Sequence, residues 1–149
     1  MADWIETYRG AVLASEYDPE AHMNAGIYVS RFDQATWFVM SSVGITPTGM
    51  RKAGRRVAIV RQSFQYLQEL RGGQLVTIES GIVAVGRKHI RFQHRMFDVE
   101  AGAMVATSDC TAVQASLKSG RSVAMTAAQR KAAEARLVTV NVAEATGLE

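Results

Sequence analysis

The chain has 149 residues and a formal net charge of +3; 48% of its residues are hydrophobic and 21% are charged. This composition is typical of a soluble globular protein, and the length suits one domain with a modest core. No apolar run is long enough to cross a bilayer, and the N-terminus lacks the basic-then-apolar order of a secretory signal, which favours a cytoplasmic protein. Cys110 is the only cysteine, which excludes an intrachain disulfide and a cysteine-based zinc site.

The first half of the chain predicts a strand followed by a long helix. Residues 7–17 predict the strand. Asn24 is a good N-cap, and from Ile27 onward apolar residues recur at helical spacing, which predicts one buried stripe. Gly44 is a natural residue at which to end this helix, with Pro47 just beyond it.

The second half of the chain changes to the alternation that is typical of strands. Because the predicted strands are joined by short turns, consecutive strands are expected to pair antiparallel. The order of strand, long helix and four strands predicts an α+β fold in which an antiparallel sheet wraps around one long central helix. A capping box over 126–129 predicts a short C-terminal helix, with a loose tail after about residue 140. The four strands are predicted at 57–67, 74–85, 88–99 and 104–113.

Residues 18–24 form the most informative stretch, because they bring a carboxylate, an imidazole and an amide to the start of the long helix. These groups belong to Asp18, His22 and Asn24. The first N–H groups of a helix have no intrahelical partner, so a carboxylate here lies beside positive backbone potential. Hydrolysis of an activated acyl group needs this combination, since one group activates or replaces the water and the other holds the oxyanion.

The same stretch resembles the signature of hot-dog-fold acyl-CoA thioesterases, in the 4-hydroxybenzoyl-CoA thioesterase-like branch. That signature is Asp, two variable residues, Gly, His, a hydrophobic residue, Asn, Asn, two variable residues and Tyr. Residues 18–28 match its order but carry Ala21 in place of the Gly and Ala25 in place of the second Asn. Residues 32–35 and 63–73 also resemble the family, and the likeness covers most of the chain from residue 5 to residue 117.

The resemblance implies a hot-dog fold that hydrolyses an acyl-CoA thioester to the free acid and CoA. We expect a single domain over residues 1–149, with its core at about 5–117 and a C-terminal helix and tail at about 126–149. No cofactor is expected, because coenzyme A is part of the substrate. A lone hot-dog subunit exposes sheet edges and half a pocket, so a homodimer is expected, with a tetramer as a further possibility in this family.

The resemblance also implies roles for the residues of the signature. Asp18 attacks the thioester carbonyl or activates a water to do so, and the main-chain N–H of Ala25 donates to the oxyanion. Asn24 caps the helix or orients the loop. His22 hydrogen-bonds to Asp18 or to the substrate, or simply packs the loop. No metal is expected, because His89 and His94 are five residues apart on a strand and therefore face opposite sides.

The phosphates of coenzyme A require cations near the mouth of the pocket. Lys88 and Arg91 are the first candidates, followed by Arg61 and Arg56. They belong to two basic stretches, 51–56 and 87–95, which can equally be solvated surface.

The acyl group is expected to contact aromatic side chains. Residues 4–9 and 32–37 resemble hot-dog enzymes of carnitine and betaine catabolism. In that case Tyr28, Trp37 and Tyr66 would bind a quaternary ammonium by cation–π attraction.

Two other classes of function remain open at the level of sequence. One is a hot-dog dehydratase acting on 3-hydroxyacyl thioesters, with His22 as the base. The other is a non-catalytic binder, either an acyl-CoA sensor or a nucleic-acid module that uses the basic stretches. Aromatic residues are not interleaved with those stretches except at Phe92, so no nucleic-acid partner is expected, and no membrane partner either.

Overall fold

The computed structural model describes residues 2–140 and shows one antiparallel sheet packed against a long helix. The predicted α+β layer architecture is therefore confirmed, while the predicted tail beyond residue 140 lies outside the described residues. In chain order the elements are β1 (Ile5–Ala11), a 3-10 turn (Ala14–Glu16), α1 (Ala25–Ser41), α2 (Pro47–Lys52), β2 (Arg55–Tyr66), β3 (Leu75–Val85), β4 (His89–Asp98), β5 (Met104–Ser116), β6 (Ser122–Val123) and α3 (Ala127–Ala135).

The strands lie in the order β1-β3-β4-β5-β2, with the short β6 beside the end of β5. Consecutive strands pair as predicted from β3 to β5, but β2 pairs with β5 and not with β3. The reason is the connection after β2. The N–H groups of Leu67 and Gln68 both donate to the carbonyl of Val105, and the chain then runs past β5 and β4 to reach β3, which lies between β1 and β4. As a result β1 and β2 occupy the two edges.

Helix α1 begins and ends where the sequence predicts. The side chain of Asn24 accepts a hydrogen bond from the N–H of Gly26, and Gly44 follows the helix with φ of +82°. Only a residue that tolerates the left-handed region fits there without strain. The helix buries one stripe against the sheet, formed by Tyr28, Phe32, Ala35, Thr36, Val39 and Met40.

The structure corrects two predicted boundaries. The first strand ends at Ala11 instead of residue 17, because Leu13 and Glu16 close a turn with hydrogen bonds of 2.9 Å between main chains and 2.8 Å to the Glu16 carboxylate. Pro47 does not simply follow the end of α1; it is the first residue of α2, whose N-cap is Thr46. Proline suits this position, where a helix has no need of its N–H.

Small side chains form the buried face of β5. The buried side chains of this face are those of Ala106, Ser108, Cys110 and Ala112. The large side chains of β4 at Ile90, Phe92 and Met96 are buried on the same side of the sheet, as the alternation predicts. Burial raises the pKa of the Cys110 thiol, so this side chain behaves as a small apolar group.

Helix α3 closes one end of this core. It begins at the predicted capping box of Thr126 and Gln129, and its Ala133 packs in the cluster that contains Val39 and Met40 of α1. Beyond the helix, the N–H of Val138 donates to the carbonyl of Ile82 in β3. Within residues 2–140, none of the helices combines the length and the apolar character that a bilayer crossing requires.

A chain of buried polar groups crosses the core and fastens α1 to the sheet. His94 is fully buried; its Nδ1 lies 2.5 Å from Ser80 Oγ and its Nε2 lies 3.0 Å from Thr36 Oγ1. Ser80 Oγ in turn lies 2.7 Å from Thr7 Oγ1, so β1, β3, β4 and α1 are joined. The ring also stacks on Phe32 with 5.7 Å between centroids. Burial lowers the pKa of His94 from 6.5 to about 3, so the ring stays neutral in the folded protein.

This burial predicts that stability depends on pH. The folded-state pKa of His94 lies below the unfolded value, so between pH 6.5 and about 3 the unfolded chain binds the extra proton. The contribution of the neutral His94 ring to the free energy of unfolding is therefore complete above pH 6.5 and is lost as the pH falls towards 3. Between pH 6.5 and pH 4 the loss is about 3 kcal/mol, at 1.36 kcal/mol per pH unit. Urea unfolding of the wild type and of His94→Gln across this range measures it.

In that experiment His94→Gln is expected to be less stable at pH 7 but to have a flatter pH profile than the wild type. The matched control is His89→Gln, because His89 is exposed at the start of β4. A wild-type profile that parallels that of His94→Gln would contradict the prediction.

Candidate active site

Residues 17–24 form a tight hairpin between β1 and α1. The N–H of Asp18 donates to the carbonyl of His22 over 2.8 Å, and Tyr17 pairs with Met23 in an isolated bridge. The hairpin is attached to the crossing connection before β3, because the N–H of Met23 donates to the carbonyl of Leu70 over 2.7 Å. The position of Asp18 is therefore set by main-chain hydrogen bonds.

The carboxylate of Asp18 is half-buried and is held through one oxygen. Its Oδ1 accepts hydrogen bonds from the N–H groups of Glu20, at 2.9 Å, and His22, at 3.2 Å. Among the described residues, Oδ2 has no hydrogen-bond partner. The arrangement fixes the direction of the carboxylate and leaves one oxygen available to a water or an electrophile.

The start of α1 offers a free hydrogen-bond donor beside this hairpin. Asn24 is the N-cap: its side chain accepts from the N–H of Gly26 and its carbonyl from that of Ile27, both at 2.9 Å. The N–H of Ala25, the first helical residue, has no acceptor in the part of the chain that is described. Ala25 is exposed, so a ligand can reach this N–H. The predicted capping role of Asn24 is thus observed.

The imidazole of His22 contacts an acid that the sequence analysis did not single out. Its Nε2 lies 3.3 Å from Oε2 of Glu69, while only the main chain of His22 bonds to Asp18. Of the alternatives for His22, the ring contact with Asp18 is therefore not the one seen. The 63–73 segment drew attention by its family likeness, but the contact joins residues 47 positions apart, which no local pattern reveals.

Tyr28 and Tyr66 come together near the hairpin. Their rings meet edge to face with 5.3 Å between centroids. The Tyr28 hydroxyl is fully used, since it donates to the carbonyl of Gln68 over 3.3 Å and accepts from the N–H of Leu70 over 3.1 Å. Burial raises the pKa of Tyr28, which keeps this hydroxyl protonated. Tyr66 is half exposed and offers its ring to a ligand.

Trp37 does not join this aromatic pair within one chain. It lies nine residues after Tyr28 on α1, which corresponds to about 13 Å along the axis and two and a half turns. The two side chains therefore leave opposite sides of the helix. A single quaternary ammonium cannot contact all three predicted rings in one subunit, because cation–π attraction requires the cation within about 6 Å of each ring.

The predicted phosphate ligand Arg91 is already paired on the face of the sheet that α1 does not cover. Its Nε and Nη2 donate to the two carboxylate oxygens of Asp109 over 2.9 Å and 2.6 Å. Burial raises the pKa of Asp109, but the hydrogen bonds from Arg91 and Gln93 outweigh burial and leave that pKa below its usual range. Arg61 lies on the same face, since Arg61 and Arg91 both pair in register with Thr111.

Lys88 lies at the opposite end of the sheet from Asp18. The Asp18 hairpin is bonded to residues that precede β3, whereas Lys88 follows the end of β3, and 11 strand residues span about 35 Å. Two small cavities have been found, one lined by Met40, Ile90 and Lys88 and the other by Ser80 and Ile82, and Asp18 lies outside both. One chain thus does not bring the predicted nucleophile and this predicted phosphate ligand together.

Ala21 adopts a conformation that glycine prefers. Its φ is +62°, the only positive φ at a non-glycine residue in the described chain. For an L-residue with a Cβ this conformation costs roughly 1 kcal/mol. The hairpin imposes it, because the N–H of Ala21 donates to the carbonyl of Asp18 over 3.0 Å. The departure from the family signature at this position therefore leaves the shape of the loop intact and introduces strain.

This strain predicts that Ala21→Gly does not destabilise the protein. The relief of the left-handed conformation offsets the greater entropy of glycine in the unfolded chain, so the free energy of unfolding stays constant or rises by up to about 1 kcal/mol. The control is Ala128→Gly, in the exposed first turn of α3, where the same change is expected to cost up to about 1 kcal/mol. Chemical denaturation measures both, and equal destabilisation by the two changes would refute the prediction.

With this geometry in place, comparison with known proteins identifies the family. Residues 12–138 match the family model described as the thioesterase-like superfamily. The chain belongs to the thioesterase-like superfamily. Its membership confirms the hot-dog fold that the 18–28 stretch suggested, and it confirms the predicted enzyme class, a thioester hydrolase.

Three known proteins are similar to this thioesterase-like chain. It is 23% identical over 122 residues to a betainyl-CoA thioesterase of Pseudomonas aeruginosa, covering 82% of this chain and 77% of that protein. It is 26% identical over 133 residues to an L-carnitine dehydrogenase/betainyl-CoA thioesterase of Agrobacterium fabrum, covering 89% of this chain but 27% of that protein. A Staphylococcus aureus protein solved in complex with CoA shares the fold, with a TM-score of 0.88 at 16% identity, covering 100% of this chain and 95% of that one.

Proposed function

We propose that this protein hydrolyses acyl-CoA thioesters to the free acid and CoA, with Asp18 as nucleophile or general base. The observation that carries the proposal is the carboxylate of Asp18 in the hairpin that leads directly into α1: it is held through Oδ1, and Oδ2 has no partner among residues 2–140. The free N–H of Ala25 at that helix start suits a developing oxyanion. Family membership supports the reaction class, and the betainyl-CoA thioesterase relative supports a CoA ester as substrate.

The chemistry requires little more than these groups. As a nucleophile, the Asp18 carboxylate attacks the thioester carbon, CoA leaves as the thiolate, and water then hydrolyses the mixed anhydride. As a base, the carboxylate takes a proton from a water that attacks the same carbon. In both routes negative charge develops on the carbonyl oxygen, where the Ala25 N–H and the start of α1 stabilise it. A thioester is already activated, so a carboxylate suffices without a stronger nucleophile.

We further propose that two copies assemble through the β2 edge. β2 has 12 residues, pairs with β5 alone within residues 2–140, and exposes the apolar side chains of Val60 and Tyr66, with Leu67 just beyond it. A long unpaired edge that exposes apolar side chains is a template for strand pairing, and on β2 these side chains lie among exposed polar ones such as Arg56 and Arg61. Two copies related by a two-fold axis pair such an edge antiparallel, so the start of β2 in one chain faces the end of β2 in the other.

This pairing would complete the active site. The start of β2 lies at the same end of the sheet as Lys88, because Val57 pairs with Gln114 next to the pairing of Val113 with His89 at the start of β4. The end of β2, at Tyr66, lies beside the Asp18 hairpin. An antiparallel dimer therefore brings the end of the sheet that carries Lys88 in one copy, here called the basic end, toward the Asp18 hairpin of the other copy. The phosphates of CoA would meet cations there that one chain holds about 35 Å away.

The proposed reaction predicts that Asp18→Asn loses activity. The amide keeps the size of the side chain but supplies neither a nucleophile nor a base, so kcat is expected to fall by at least about 10²-fold. Release of the CoA thiol from short, long, aromatic and betainyl CoA esters measures this. Preference for the betainyl ester over an uncharged ester of equal size would further support an ammonium site at the exposed ring of Tyr66.

Glu20→Gln is the matched control for Asp18→Asn, because Glu20 is an exposed acid two residues away in the same hairpin. It is expected to retain wild-type turnover. Turnover at the wild-type rate in Asp18→Asn would refute the proposed role. Tight binding of acyl-CoA without release of thiol in the wild type would instead favour the non-catalytic binder.

The proposed dimer predicts that a charge on the β2 edge separates the subunits. Val60→Lys adds a cation beside Arg61 at an exposed position of β2, and each charge would meet its copy across the two-fold axis. Sedimentation is expected to show dimer or larger for the wild type and monomer for the variant, with loss of activity. Val99→Lys, at an exposed apolar position after β4, is the control and is expected to remain assembled. A monomeric wild type at micromolar concentration would rule the dimer out.

A further inference from the structure

An ion pair lies beneath the Asp18 hairpin, away from solvent. Glu16, two residues before Asp18, is 5% exposed, and its Oε2 contacts Nη2 of Arg31 in the second turn of α1. The Arg31 side chain is 16% exposed, and its guanidinium lies over the ring of Tyr8 in β1, 5.6 Å from the centroid. This pair therefore joins the segment that leads into the hairpin to both the helix and the sheet.

Glu16 contacts the surrounding segments through every polar group it has. Its second carboxylate oxygen, Oε1, accepts from the N–H of Leu13 over 2.8 Å, and its own N–H donates to the carbonyl of Leu13 over 2.9 Å. Its carbonyl accepts from the N–H of Asn24, the N-cap of α1, over 3.0 Å. One residue thus holds the end of β1 and the start of α1 at a fixed separation.

We propose that Glu16 and Arg31 are positioning residues for the reaction, and this inference rests on the proposed function. The hairpin between Glu16 and Asn24 carries Asp18, and the helix that follows Asn24 carries the Ala25 N–H. The distance between nucleophile and oxyanion donor depends on how the two ends of the hairpin are held. The ion pair fixes those ends from below, and neither of its side chains needs to touch the substrate.

The Glu16 side chain must be charged, because hydrogen bonds alone hold only part of the separation between the two ends of the hairpin. A glutamine at position 16 can keep the hydrogen bond from Leu13, but it loses the charged contact with Arg31, which is the contact that reaches the helix. In the interior a charge-assisted contact is stronger and more directional than a neutral one. A misplacement of about 1 Å at a catalytic centre can lower the rate by about 10²-fold.

The test is the effect of Glu16→Gln on kcat and KM below the unfolding transition, with rates corrected for the folded fraction. We expect kcat to fall by about 10- to 100-fold while KM changes by less than about two-fold, because the pair acts on the reacting groups and not on the bound CoA. Arg31→Met is expected to resemble Glu16→Gln, whereas Arg31→Lys, which keeps the charge, restores part of kcat. The double variant is expected to be no slower than the slower single variant.

The control is Glu6→Gln, which removes the partner of Arg9 in an exposed ion pair of 2.8 Å on β1. It is expected to leave both constants unchanged, since an exposed pair contributes little. Wild-type kcat in Glu16→Gln, or equal fractional changes in kcat and KM, would overturn the positioning role. A full additive loss in the double variant would overturn it as well.

Hydrogen exchange of the backbone amides separates this inference from the proposed function, because it needs no substrate. In Glu16→Gln the amides of residues 18–24 are expected to exchange faster relative to those of β4 than in the wild type. A uniform increase across the chain would show a structural effect only and overturn the inference. If the wild type hydrolyses no CoA ester while this local exchange is seen, the proposed reaction fails and the mechanical link between the pair and the hairpin stands.

Discussion

The burial of one stripe of α1 against β3, β4 and β5 is the constraint on which the rest of the structure depends. Apolar side chains of these strands pack with the stripe, and the polar chain through His94 fixes the position of the helix along the sheet. An apolar stripe alone would let the helix slide along the sheet. The hydrogen bonds that join Thr36 and Ser80 to the two ring nitrogens of His94 can form at only one position of the helix. Because the helix is held in this way, its N-terminus is presented at a defined place beside the crossing connection after β2.

The candidate site is built mainly from main-chain groups at that place. The hairpin supplies two N–H groups to one oxygen of Asp18, and the helix start supplies a third N–H that has no acceptor in the described part of the chain. Such a site depends little on the side chains around it, and the replacement of the second Asn of the family signature by Ala25 leaves the main-chain N–H at the helix start in place. The backbone at Ala21 is likewise independent of the side chain there, since the hydrogen bonds of the loop impose a left-handed conformation that is strained for alanine.

Local signals in the sequence were sufficient for most of the elements, but not for α2 and β6, and non-local contacts were not predictable from them. Helical spacing gave α1, and Asn24 gave its start. The neighbour of β2 could not be read from the strand pattern, because a tight-turn rule assumes that each strand pairs with the next. The contacts of Glu69 with His22 and of Arg31 with Glu16 join residues that only the tertiary fold brings together. Helical spacing alone places Tyr28 and Trp37 on opposite sides of α1, so one subunit does not bring the three predicted aromatic rings together, and the ammonium site stays a prediction.

The separation of Asp18 and Lys88 along the sheet has a genetic consequence. If each site takes its nucleophile from one copy and its cations from the other, a dimer has two sites that draw on different halves of each chain. A chain defective at the hairpin and a chain defective at the basic end would then restore one whole site when they pair. A defective allele would remove only part of the activity in a cell that also carries the intact one.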